Sequence, residues 1–121
     1  MHRLFVYGTL QEGCNNHRYL AGARRLWRAR TRPEYTLVNL GSFPGLLEGG
    51  GTGVLGEVYE VDDTTLAAID RLEGHPRFYE RVQLRLARGL RVEGYILRRA
   101  GAERYPLIES GDWRSYRCGS R

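Results

Sequence analysis

The apolar positions of the chain fall into short runs separated by glycine, asparagine and proline, and one of them repeats at clear helical spacing. Arg3 to Tyr7 reads as an apolar strand that ends at Gly8-Thr9, and its unbroken apolar character suits a central position in a sheet. Gln11 to Asn16 is rich in turn formers, with Asn15 or Asn16 placed to cap a short helix through His17, Tyr19 and Leu20 that Gly22 ends. Residues 23 to 32 resemble an arginine-studded strand anchored by Leu26 and Trp27 and interrupted by Pro33. Tyr35 to Asn39 is a further strand. The stretch from Gly41 to Gly53 reads as a long, glycine-rich connection containing Leu46-Leu47-Glu48, either the wall of a cleft or a surface excursion. Strand character returns from Gly53 to Val61, with Leu55, Tyr59 and Val61 on one side and Val54 and Val58 on the other.

Asp62-Asp63-Thr64 supplies capping side chains and negative charge to a helix over residues 63 to 73, which Gly74 and then Pro76 terminate. At about 100° per residue, Leu66, Ile69 and Leu72 share one side of that helix, Glu73 falls inside the same sector, and Asp70 lies at its edge. From Phe78 the pattern turns to period two: Val82, Leu84 and Leu86 alternate with Arg81, Gln83 and Arg85, and beyond Arg88-Gly89 the segment from Arg91 to Leu97 completes an antiparallel hairpin. Tyr105 to Trp113 carries enough aromatic surface to pack on the body, and the chain is expected to fray after Arg114. About six strands, one clear helix and one shorter one predict an α+β domain, a compact mixed sheet or barrel with helices beside it.

Composition narrows the classes. A length of 121 residues predicts one domain over 1–121. No apolar run is long enough to span a bilayer and no signal-peptide pattern opens the chain, so a cytoplasmic protein is expected. Cys14 and Cys118 lie far apart without metal-ligand spacing and are read as free thiols. The net charge of +5 is built from 19 arginines and no lysine. The densest cluster, Arg24, Arg25, Arg28, Arg30 and Arg32 around Trp27, suits nucleic acid in residue type, but no nucleic-acid motif accompanies it, so a solvated face is the better reading.

Two stretches carry candidate chemistry. Tyr7-Gly8-Thr9-Leu10 is a strand running into a glycine turn, where backbone N–H groups without a ladder partner form a cradle for an anion or oxyanion. Glu73 is a carboxylate aimed inward. Such a group either pairs, with Arg71 or Arg81 within reach, or has its pKa raised toward the range a general base or acid requires. His2, His17 and His75 have no metal-ligand spacing, and a Cys14–His17 nucleophile lacks an orienting third group.

Phe5-Val6-Tyr7-Gly8-Thr9-Leu10, Asn16-His17-Arg18, Gly56 to Asp62, and Leu66 to Glu73 with Tyr79-Glu80-Arg81 behind it occur in an order that resembles the gamma-glutamylcyclotransferase-like family. The likeness is to its small branch of gamma-glutamylamine cyclotransferase, AIG2-like and butirosin-biosynthesis BtrG-type proteins. The resemblance implies a small mixed β-barrel with flanking helices, a γ-glutamyl small-molecule substrate held by Tyr7, Gly8, Thr9 and Leu10, and Glu73 as acid-base. It implies no cofactor or metal, and Tyr79 is expected to complete the pocket. A non-catalytic binder of a γ-glutamyl or other amino-acid ligand is the alternative within the same fold.

Overall fold

The computed structural model describes residues 1–118. The strands are β1 (His2–Val6), β2 (Arg24–Arg30), β3 (Tyr35–Asn39), β4 (Pro44–Glu48), β5 (Leu55–Val61), β6 (Tyr79–Arg85) and β7 (Arg91–Leu97). Two α-helices, α1 (Asp63–Glu73) and α2 (Trp113–Arg117), and short 3-10 turns complete a mixed α+β fold. Five strands form one sheet in the order β2-β5-β1-β7-β6, and β3 pairs with β4 in a separate hairpin. β1 runs antiparallel to β5, with Leu4 opposite Tyr59, and parallel to β7. The apolar run Leu4–Val6 thus lies in the central strand of the sheet, while His2 and Arg3 at the start of that strand stay outside the core.

Pleating divides β1 between two cores. Leu4 and Val6 face Leu66 and Ile69 of α1, whereas Phe5 and Tyr7 face the other way, into a cluster with Val58, Leu84, Ile96 and Trp113. Sequestering Leu66 and Ile69 fixes α1 on the sheet, each such side chain contributing roughly 1.5–3 kcal/mol. Asp62 caps α1 by accepting from the Thr65 N–H at 2.8 Å, and Gly74 ends it in the left-handed region, φ 70°. The edge strands β2 and β6 approach each other at one end, where Thr31 bridges Leu86 and the Arg32 N–H bonds the Arg85 carbonyl at 2.9 Å. Among the described residues that single bridge is the only pairing between these edges, and the sheet is not a closed barrel.

Four expectations change. The connection from Gly41 to Gly53 contains β4, whose Gly45 and Leu46 pair with Val38 and Leu37; glycine and proline masked a strand that tertiary pairing stabilises. Leu72, assigned to the buried face of α1, is 36% exposed because it stands at the rim of a cavity. Cys14 and Cys118 are not free thiols: they form a disulfide, their Cα atoms 5.2 Å apart across a separation of 104 residues. Residues 115–118, expected to fray, instead turn through α2, capped by Asp112 accepting from the Ser115 N–H at 3.1 Å, and reach the disulfide; the rest of that expectation lies outside the described residues.

Candidate active site

A cavity of about 300 Å³ opens where the C-terminal ends of β1 and α1 meet the start of β4. That is the small end of the roughly 300–1,000 Å³ range of small-molecule sites. Tyr7, Gly8, Thr9 and Leu10 form one wall, Glu73 and Leu72 a second, and Phe43, Pro44, Phe78, Tyr79 and Tyr95 enclose the rest. The residues singled out in the sequence therefore converge on one space. Their convergence follows from topology, since β1 lies beside β7 and α1 returns across the same face of the sheet.

After Val6 the chain leaves the ladder, and the N–H groups of Gly8, Thr9 and Leu10 have no hydrogen-bond partner among the described residues. The carbonyls of this loop are engaged instead: Gly8 accepts from the Gln11 N–H at 3.1 Å, Thr9 from the Asn16 N–H at 2.9 Å, and the Leu10 oxygen lies 2.9 Å from His17 Nδ1. Asn16 also donates through Nδ2 to Thr9 Oγ1 at 2.9 Å, so its side chain braces the loop and does not cap the following turn. Behind the loop, Glu57 is completely buried and accepts from the Glu12 N–H at 3.0 Å and the Tyr59 hydroxyl at 2.9 Å. Gly8 packs so closely on Pro44 that a Cβ there would sit 2.8 Å from the Pro44 ring. A side chain at that position would displace either the loop or β4.

Glu73 occupies the last turn of α1 and is the only carboxylate lining the cavity among the described residues. It has no ion pair there with Arg71 or Arg81, and burial pushes its pKa from the ordinary 4.5 up to about 7. Arg81 is occupied elsewhere. It grips Asp70 through Nε at 2.9 Å and Nη2 at 3.1 Å, and its Nη1 meets Glu93. The wheel position of Asp70 at the edge of the buried sector becomes an ion pair between α1 and the β6–β7 hairpin. His2 joins the same line of charges, its Nδ1 lying 3.1 Å from Glu93 and its Nε2 2.6 Å from Asp63.

Tyr7 donates its hydroxyl proton to the Tyr95 carbonyl at 2.7 Å and accepts from the Leu46 N–H at 3.1 Å. Tyr79 donates to the Pro44 carbonyl at 2.6 Å. These two side chains hold β4 over the sheet and leave only lone pairs toward the cavity. Phe43 and Pro44 belong to the Gly41–Gly53 stretch read from the sequence as a cleft wall or a surface excursion, and they line the cavity. Tyr95 was not distinguished in the sequence: it sits on the strand face opposite Val92 and Ile96, and its lining role depends on α1 crossing that face.

Residues 4–115 match the family described as Gamma-glutamyl cyclotransferase, AIG2-like. A Vibrio cholerae protein named "Putative gamma-glutamylcyclotransferase" is 43% identical over 112 residues, which cover 93% of this chain and 95% of that one. The solution structure of the Escherichia coli protein YtfP superposes with a TM-score of 0.72 at 35% identity, covering 92% of this chain and 95% of the other. The crystal structure of a mouse AIG2-like protein superposes with a TM-score of 0.78 at 30% identity, covering 93% and 88% respectively. With the family model, sequence identity and fold in agreement over nearly its whole length, this chain belongs to the gamma-glutamyl cyclotransferase, AIG2-like family.

Proposed function

We propose that the protein converts a γ-glutamyl amide into 5-oxoproline and a free amine, with Glu73 as the proton-transfer group. The observation that carries this reading is a single unpaired carboxylate, raised to about pH 7 by burial, in a cavity whose opposite wall presents free backbone N–H groups. The substrate's α-amino nitrogen attacks its own γ-carbonyl carbon, a C–N bond closes the five-membered lactam, and the original amide C–N bond breaks. Glu73 takes a proton from the attacking nitrogen and returns it to the departing nitrogen, and the excess proton of the α-ammonium leaves on the released amine. A group titrating near neutrality suits both transfers, because it is neither too weak a base nor too weak an acid.

Holding the glutamyl chain folded makes the reaction intramolecular, an advantage that reaches effective molarities of order 10⁵ M or more. The free N–H groups of Gly8, Thr9 and Leu10 suit the substrate carboxylate or the oxyanion that develops on the γ-carbonyl oxygen. Tyr7 and Tyr79 serve in this reading as walls with acceptor lone pairs. Incubation with a panel of γ-glutamyl amines and amino acids, followed by mass spectrometry of 5-oxoproline, tests it. Wild type should form product, and a folded Glu73→Gln variant should lose about 10²- to 10⁴-fold in rate. Turnover that survives in the variant would remove Glu73 from the mechanism.

A further inference from the structure

Three tyrosines line the same cavity as Glu73: Tyr7 from the end of β1, Tyr79 from β6 and Tyr95 from β7. Any of their hydroxyls, turned toward the carboxylate, would stabilise its charged form. Yet each hydroxyl proton is directed elsewhere. Tyr7 and Tyr79 donate to main-chain carbonyls, which no side-chain change removes. The Tyr95 hydroxyl instead donates to a side chain, Asp70 Oδ1, at 2.7 Å. Asp70 is on α1 one turn before Glu73, and the fork of Arg81 fixes its carboxylate in place.

We propose that Asp70 is a positioning residue for the reaction: by accepting the Tyr95 hydroxyl proton it keeps that hydroxyl from donating to Glu73, and so leaves the acid-base carboxylate without a hydrogen-bond donor. The proposal rests on the role of Glu73 given above and adds the means by which its basicity is maintained. The neighbouring groups Arg81 and His75 are engaged away from Glu73. Arg81 is held by Asp70 and Glu93, and His75 is turned to the β6 main chain, its Nδ1 accepting from the Arg81 N–H at 3.0 Å. Asp70 and Glu73 stand three residues apart on α1, so with the Asp70 acceptor removed and Tyr95 kept, Glu73 is the neighbouring carboxylate left for the Tyr95 proton.

The test is the carboxyl titration of Glu73, followed by NMR of ¹³C-labelled glutamate in the substrate-free protein, which does not depend on turnover. Asp70→Ala should lower the midpoint by about one to two units, the size of a hydrogen bond to a charged group. Asp70→Asn keeps an oxygen that accepts from Tyr95 and should shift it by less than half as much. The double variant Asp70→Ala/Tyr95→Phe should return to near the wild-type midpoint. An equal drop in the Asn variant or in the double variant would assign the effect to lost charge or a released Arg81 and overturn the proposal. Where Asp70→Ala does not fold, Tyr95→Phe alone decides: an unchanged midpoint agrees, and an upward move shows Tyr95 donating to Glu73 and overturns it. If 5-oxoproline is formed, the acid limb of kcat/KM should move with the titration. A silent substrate panel with these midpoints as expected would reject the reaction and leave the positioning intact.

Discussion

Glu73 binds its proton more tightly in the folded chain than in the unfolded one, since its pKa rises from 4.5 to about 7 on folding. Between those two values the native state carries more bound protons than the unfolded state, so this residue makes stability fall as pH rises through the window. Above about pH 7 the full effect is present, and the difference corresponds to about 3 kcal/mol. Glu73→Gln removes the titrating group. The variant should therefore melt at a higher temperature than wild type at pH 8 and at nearly the same temperature at pH 4.5, as read by calorimetry at both pH values. Equal melting temperatures at pH 8 would mean that the carboxylate is better solvated than its burial indicates. The inward direction of Glu73 was legible from helical spacing alone. What spacing does not contain is the occupancy of Arg81 by Asp70 and Glu93, which leaves Glu73 without a cationic partner among the described residues.

The loop after β1 and the start of β4 form a pair whose closeness depends on one missing side chain. Gly8→Ala places a methyl group 2.8 Å from the Pro44 ring, and β4 is held on its other side by the Tyr7 and Tyr79 hydroxyls. Overpacking of this kind costs roughly 1–3 kcal/mol. The expected outcome is a lower denaturant midpoint together with weaker substrate binding, because the loop that moves is the one carrying the free N–H groups. A substitution that leaves both unchanged would show that the loop shifts freely. At this scale α1 and the β6–β7 hairpin were readable, because caps, a terminating glycine and period-two alternation all act within a few residues. β4 was not. Its Pro44-Gly45 start reads as a turn, and only pairing with β3 and the hydroxyls of two distant tyrosines makes it a strand.

At the scale of the whole molecule, most of the clustered arginines engage acceptors of the same chain. Arg25 pairs with Glu12 at 2.9 Å, Arg24 lies 3.9 Å from Glu60, Arg30 donates to the Gly53 carbonyl at 2.7 Å, and Arg32 lies 3.5 Å from Glu34. The sheet edge is thus tied mainly to acceptors of its own chain, a distribution that counting charges along the sequence does not reveal. No helix among the described residues is long and apolar enough to cross a membrane. The disulfide is the feature that sequence reasoning misread, because two cysteines at positions 14 and 118 are brought together only once β1 and the C-terminal segment have packed on the same body. Its consequence is one of covalent connectivity. Nearly the entire fold lies within the ring closed by that bond, including the exposed Gly49-Gly50-Gly51 turn. A protease that cuts once at this turn opens the ring without dividing the molecule: the nicked protein should migrate as one species without reductant and as two fragments with it.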